Sequence, residues 1–150
     1  MDKLKVLIVE DHKATQKLYD FGLHEDVFEK RFADNGQDGL DIYRSWRPDV
    51  ILLDIMLPLI SGYAALKEIR EKEKDKTTAI IISSSLMSRE DILDCARLGI
   101  QGYVIKPVNF KGIDVKILEY YSKTNAENAE RAARLKNILK SRDATPGPSD

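Results

Sequence analysis

Apolar residues along this chain fall into two alternating arrangements. In one they form short unbroken runs: V-L-I-V at 6–9, V-I-L-L at 50–53, A-I-I-I at 79–82 and G-Y-V-I at 102–105. Runs of this length between breakers read as strands covered on both faces. The stretch F-E-K-R-F-A at 28–33 alternates enough for a further, weaker strand. In the other arrangement apolar residues recur every three or four positions, as on one face of a helix. These sets are Ala14, Leu18 and Phe21; Leu40, Tyr43 and Trp46; Ala65, Leu66 and Ile69; Ile92, Cys95 and Ala96; and Ile113, Ile117, Leu118 and Tyr121.

The punctuation agrees with that division. Asn35-Gly36 and Ser61-Gly62 open helices, Pro48 stops one, and Ser88 with Asp91 three residues on forms a capping-box pattern. Gly99 ends the helix that follows, and Asn109 is placed to cap the next, with Gly112 weakening its first turn. Strand alternates with helix five times. This predicts an α/β fold, a doubly wound parallel sheet with helices on both faces. Good helix formers continue from Ala126 to about Lys140, which extends the fifth helix into a long C-terminal one. The predicted organisation is a compact domain over 1–122, a helical extension over 123–142 and a disordered, Pro/Gly-rich tail over 143–150. Leu118, Tyr121, Ala132, Leu135 and Leu139 keep a 3–4 spacing that Asn125 and Asn128 interrupt. That fits a weak coiled coil and a solvated terminal helix equally.

Composition narrows the setting. The 150 residues are 43% hydrophobic and 33% charged, enough for one core and a solvated surface. Twenty-four basic side chains against 25 acidic ones leave a net charge of −1, so nothing draws the whole chain to nucleic acid. The charged run E-K-E-K-D-K at 71–76 reads as a solvated helix end. A lone Cys95 cannot close an internal disulfide. No signal sequence or membrane-length apolar run is evident, so the expected location is cytoplasmic, with no membrane partner.

Candidate chemistry gathers at the strand ends. Glu10 and Asp11 close the first strand, Asp54 the third, Ser83 to Ser85 the fourth, and Lys106-Pro107 the fifth. A parallel sheet brings these ends to one edge, where ligands bind in open α/β folds. Three carboxylates there repel, each pair by about 3 kcal/mol at ~5 Å and an effective dielectric near ~20. Lys106 offsets part of this, and a hard divalent cation would offset the rest. An all-oxygen donor set favours Mg²⁺, with Mn²⁺ also fitting. His12 adjoins the acids, but a lone imidazole beside an oxygen site reads as a surface residue.

Taken together, V-E-D at 9–11, D-I-M-L-P at 54–58 with Gly62, the serine-rich end of strand four, and K-P at 106–107 resemble the receiver domain of two-component response regulators. N-G at 35–36 and G-x-x-G-Y at 99–103 add to the resemblance, which spans about Lys3 to Tyr121. It implies a flavodoxin-like (βα)5 sheet in the order 2-1-3-4-5. Asp54 resembles the phosphoacceptor, and Lys106 the residue that pairs first with Asp54 and then with a phosphoryl oxygen. Asp11, Asp54 and the backbone carbonyl of Met56 would hold Mg²⁺, with Glu10 acting through water. Ser84 resembles the switch hydroxyl, by its spacing from Lys106, and Tyr103 the aromatic switch residue. Pro107 resembles the family's cis-proline.

The resemblance further implies that a sensor histidine kinase or phosphotransfer protein donates the phosphoryl group. The chain would catalyse its own phosphorylation and dephosphorylation without turning over a free substrate. An output protein would read the face of helix four, strand five and helix five. A homodimer through that face or through the C-terminal helix stays open, as does the kinase's identity. Two alternatives remain beside this reading: a receiver-like module that binds partners without phosphorylation, and the receiver fragment of a longer regulator. A related metal-dependent phosphatase would need a second acid two residues after Asp54, where Met56 stands.

Overall fold

The structure is a computed structural model that describes residues 2–85 and 88–144, with side chains through residue 142. Chain order is β1 (Leu4–Val9), α1 (Lys13–Gly22), β2 (Phe28–Ala33), α2 (Gly36–Trp46), β3 (Val50–Asp54), α3 (Gly62–Lys67), β4 (Ala79–Ser84), α4 (Arg89–Leu98), β5 (Gly102–Ile105), α5 (Ile113–Ser122) and α6 (Ala126–Ala144). The five strands form one parallel sheet in the order β2-β1-β3-β4-β5. Every residue of β3 is buried, as its unbroken apolar run requires of a central strand.

Two cores flank the sheet. Leu4, Val6, Ile8, Val50, Leu52 and Ile81 face one, under α1, α5 and α6. Leu7, Val9, Ile51, Leu53, Ile80 and Ile82 face the other, with Leu40, Tyr43, Leu66 and Cys95 from α2, α3 and α4. Successive strand residues alternate between the two faces, so one apolar run serves both. The capping signals act as expected at three helices, Ser61 accepting the Ala64 N–H at the start of α3. Asn35 accepts the Asp38 N–H at the start of α2, and Ser88 with Asp91 forms a full capping box on α4. Helix α3 widens into a π-helical turn over Glu68–Lys72.

Three expectations are corrected. On α1 the face with Ala14, Leu18 and Phe21 is the exposed one, Phe21 at 77%, while Gln16 and Tyr19 are buried. Gln16 faces inward because its amide has two polar acceptors there, the Glu10 carbonyl and the Asp34 carboxylate. Asn109 does not cap α5. Its side chain accepts the Lys111 N–H within the preceding loop, and Gly112, in the left-handed region at φ 79°, leads into the helix. The C-terminal helix is not a continuation of α5. Lys123, Thr124 and Asn125 break the rod, Thr124 by bonding back to the Tyr121 carbonyl and Asn125 by accepting the Asn128 N–H.

Helix α6 then folds back along α5, and Arg131 reaches residues just before β1 and β3. Ala132, Leu135 and Leu139, all buried, join the core of Leu4, Leu23, Val27, Leu118 and Tyr121. The 3–4 spacing therefore serves the chain's own core rather than a coiled coil or a free helix. Arg131 pairs with Asp2 at 3.2 Å and Asp49 at 3.0 Å, and donates to the Lys3 carbonyl and the Tyr121 hydroxyl. Asp143 and Ala144 belong to α6, and the rest of the expected tail lies outside the described residues.

Candidate functional site

Two strand ends deliver the three acids to one place. Glu10 follows β1, Asp11 opens the loop after it, and Asp54 ends β3. Their carboxylates and His12 offer atoms that all lie within 4.8 Å of one another. Glu10 and Asp54 are buried and Asp11 half-buried. The loop after β3 is held tight beneath them. The Gly62 N–H bonds to the Ile55 carbonyl, and a Cβ on Gly62 would stand 2.1 Å from the Asp54 carbonyl oxygen, so only glycine fits.

Asp54 is held at both oxygens. Oδ1 accepts the Met56 N–H at 3.0 Å and Oδ2 accepts from Lys106 Nζ at 2.8 Å. Lys106 also forms an ion pair with Glu10 Oε1. Burial alone would lower the Lys106 pKa, but hydrogen bonds and charge from Asp54 and Glu10 outweigh it and raise it. Glu10 Oε2 accepts the His12 N–H at 3.0 Å. The buried Asp11 Oδ1 makes no hydrogen bond; His12 Nδ1, 3.3 Å away, is its ion-pair neighbour only when protonated. Three carboxylates around one ammonium, with an unpaired buried oxygen among them, suit a hard divalent cation. His12 itself is mostly exposed, as expected, though it borders the acids.

The remaining candidates surround this pocket. Ser83 pairs in register with Asp54, and Ser84 is buried one residue on, its carbonyl accepting the Lys106 N–H at 2.9 Å. Ser85 is exposed beyond the strand. Tyr103 stands on β5, 42% exposed, with its side chain turned partly to solvent. The Lys106-Pro107 peptide is cis, as expected. The Met56 side chain is exposed and its backbone borders Asp54.

Two residues at this site escaped the sequence reading. Gln16 fastens α1 to the Glu10 carbonyl. Tyr19 lies 1% exposed under the pocket, its hydroxyl near Ser83 but short of hydrogen-bond geometry. Burial pushes its phenol up to about 12, Glu10 and Asp54 adding to the shift and Ser83 and Lys106 opposing it. The signal was available, since Gln16, Tyr19 and Leu23 share a helical face, but its two polar members masked it. At the far end of the sheet Asp75 accepts from Tyr43, Thr77 and Thr78. Burial would raise its pKa, yet these bonds hold it well below the usual carboxylate range. So one member of the charged run 71–76 is a structural anchor.

Comparison with known proteins bears on this geometry. The family model described as "Response regulator receiver domain" matches residues 6–118. A protein named "Probable transcriptional regulator ycf27" from Guillardia theta is 33% identical over 123 residues, 82% of this chain and 47% of that one. The chain spans about half the length of the curated relatives it matches. Among solved structures, a Francisella response regulator receiver domain superposes with a TM-score of 0.73 at 26% identity, covering 82% of this chain and all of that one. A Saccharomyces cerevisiae receiver domain, in co-crystal with a histidine phosphotransfer signaling protein, gives a TM-score of 0.71 at 30% identity, covering 79% and 88% of the two chains. Among the described residues no helix is long and apolar enough to cross a membrane.

Proposed function

Because the chain belongs to the response regulator receiver family, we propose that it accepts a phosphoryl group on Asp54 from a phosphohistidine of a sensor kinase or phosphotransfer protein. The observation that carries this reading is the buried Asp54 carboxylate, held between Lys106 and the Met56 N–H beside two further acids. An Asp54 oxygen attacks phosphorus, the bond to the donor's imidazole nitrogen breaks, and that nitrogen keeps the electron pair. Lys106, now on Oδ2, moves to a phosphoryl oxygen and neutralises part of its charge. A bound Mg²⁺, held by Asp11, Asp54 and the Met56 carbonyl with Glu10 acting through water, would supply further positive charge to the phosphoryl oxygens. The unpaired Asp11 oxygen supports that assignment.

The product carries about −1.5 to −2 charge at a buried edge. Ser84, at the end of β4, turns its hydroxyl to this charge, and Tyr103 moves into the space vacated. The face of α4, β5 and α5 then changes shape for an output protein or a second copy to read. The yeast receiver's co-crystal with a phosphotransfer protein supports the class of donor. A cytoplasmic setting suits the lone, buried Cys95.

The test is intact-mass measurement after incubation with Mg²⁺ and a small phosphodonor. One phosphoryl group is expected on the wild type and none on Asp54→Asn. Labelling of that variant elsewhere refutes the assignment. A wild type that stays unlabelled while still binding partners is a phosphorylation-independent module.

A further inference from the structure

Residues 113–144 contain neither glycine nor proline, and nothing in their sequence forbids one helix of 32 residues. The structure breaks this stretch at Lys123–Asn125 by local bonds alone. Lys123 already has helical dihedrals, φ −79° and ψ −7°. The break rests on the Thr124 hydroxyl to the Tyr121 carbonyl (2.7 Å), the Asn125 cap on the Asn128 N–H (2.8 Å), and the Asn128 amide, which bonds both the Thr124 and Tyr121 hydroxyls. In a fused helix these bonds give way to ordinary backbone ones.

The surface that α6 covers is shaped for α6. Ala132, Leu135 and Leu139 pack along α5 and are buried in a seat within the core that also holds Leu4, Leu23, Val27, Leu118 and Tyr121. Around that seat, among the described residues, the ion pairs run the same way, with the cation on α6 and the acid on the body: Arg131 to Asp2 and Asp49, Lys136 to Glu119, Arg142 to Asp26. A second copy's α6 offers the same three apolar residues and the same three cations. Beside the helix's first turns runs a polar cleft of about 760 Å³, lined among others by Asp49, Asn128, Arg131 and Arg134, so this part of the seat is wet. Peeling α6 away begins from a hydrated margin rather than a sealed one.

We propose that α6 exchanges between two copies of this chain, giving a swapped dimer in which α5 and α6 form one helix and each α6 docks on the other copy's body. The apolar contacts and ion pairs of α6 with its seat are kept, and what changes is the Lys123–Asn125 hinge with the Asn128 bonds to Thr124 and Tyr121. A short hinge without a breaker is the kind that exchanges readily. In dilute solution the closed monomer prevails, because the hinge holds α6 beside its own seat at an effective concentration of about millimolar or more. Refolding at comparable protein concentration populates the dimer, which then persists on dilution because both helices must undock to exchange.

The experiment refolds the chain from urea at about 1 mM and at about 1 µM, concentrations chosen to straddle that effective concentration. Mass is read by light scattering after size exclusion. Two variants move the hinge in opposite directions. Ala126→Pro suits the closed form, where residue 126 is the first of α6 and its N–H has no intrahelical acceptor, but it breaks a fused helix. Thr124→Ala combined with Asn125→Ala removes the break's own bonds and should raise the dimerisation constant by roughly five- to tenfold for each protomer.

Zero-length carbodiimide coupling of Lys136 to Glu119, 3.5 Å apart, identifies the swap. In a mixture of isotopically light and heavy chains refolded together, the swapped dimer gives light–heavy cross-links. The expected result is a dimer at the higher concentration only, enriched in the double-alanine variant, lost in Ala126→Pro and cross-linked between copies. The proposal is overturned if wild type and double-alanine variant stay monomeric, if Ala126→Pro dimerises as wild type does, or if the dimer's cross-links stay within one copy. Should Ala126→Pro not fold, the other variant and the cross-link decide alone.

Discussion

Replacing Leu135 with alanine measures how much of the fold rests on α6. Leu135 is 5% exposed and sits between Ala132 and Leu139 on the seat formed by Leu4, Leu23, Val27, Leu118 and Tyr121. Truncating a buried leucine to alanine removes its transfer free energy and leaves a cavity, in total about 2–5 kcal/mol. Because α6 covers the core from one side and can settle toward it, the lower part of that range applies, about 2–3 kcal/mol. Against a total stability of about 5–15 kcal/mol, this is a large fraction. With an m-value of about 2 kcal/mol/M, the urea midpoint should fall by roughly 1–1.5 M. The assay is urea unfolding followed by far-UV dichroism and by Trp46 fluorescence, with Leu93→Ala as control. Leu93 is 46% exposed on α4, and its truncation should change stability by less than about 0.5 kcal/mol. A Leu135→Ala midpoint no different from that control refutes the docking argument. So does a Trp46 transition that stays in place while the dichroism alone shifts, since α6 would then melt without involving the body.

Tyr19→Phe tests the buried phenol. Its pKa stands at about 12 against an ordinary ~10, so the neutral form stabilises the fold fully below pH ~10 and the contribution is lost as pH rises through ~12, about 2–3 kcal/mol in all. The phenylalanine variant should lose less stability than wild type over that window in urea melts, and an equally steep loss would show that Tyr19 is not the group responsible. Asp11→Ala should remove most of the Mg²⁺-dependent rise in Tm while raising metal-free stability, since it relieves carboxylate repulsion. An unchanged Mg²⁺ response would put the metal elsewhere.

The strands were legible because each apolar run serves two faces, and Val50 to Leu53 cannot be amphipathic in any other element. The pocket was legible because its parts stand at strand ends, where topology alone brings Glu10, Asp11, Asp54 and Lys106 together. Helix α1 was misread because its inward residues, Gln16 and Tyr19, carry polar tips that only a folded chain can satisfy or hide, while Phe21 lies outside against Phe110 in an edge-to-face pair. The hinge at Lys123–Asn125 was invisible for a different reason. Its bonds are individually weak and come from Thr124 and Asn125, residues that a helix interior also accepts, so nothing in the pattern of apolar positions marks it.

That seat ties α6 to the segments around β1 and β2. Arg131 reaches Asp2 and the Lys3 carbonyl across 129 and 128 positions, and Arg142 reaches Asp26 across 116. On the ribosome, β1 emerges well before α6 and becomes a strand with neighbours on both sides, yet α6 is needed to complete the core that Leu4, at the start of that strand, belongs to. A nascent chain can pair its strands as they emerge, but Leu4 and Val27 keep an open flank until residues 132–139 have left the exit tunnel. Completion of the core therefore waits for α6, and a chain halted near Ser122 would leave uncovered the apolar surface that Ala132, Leu135 and Leu139 join.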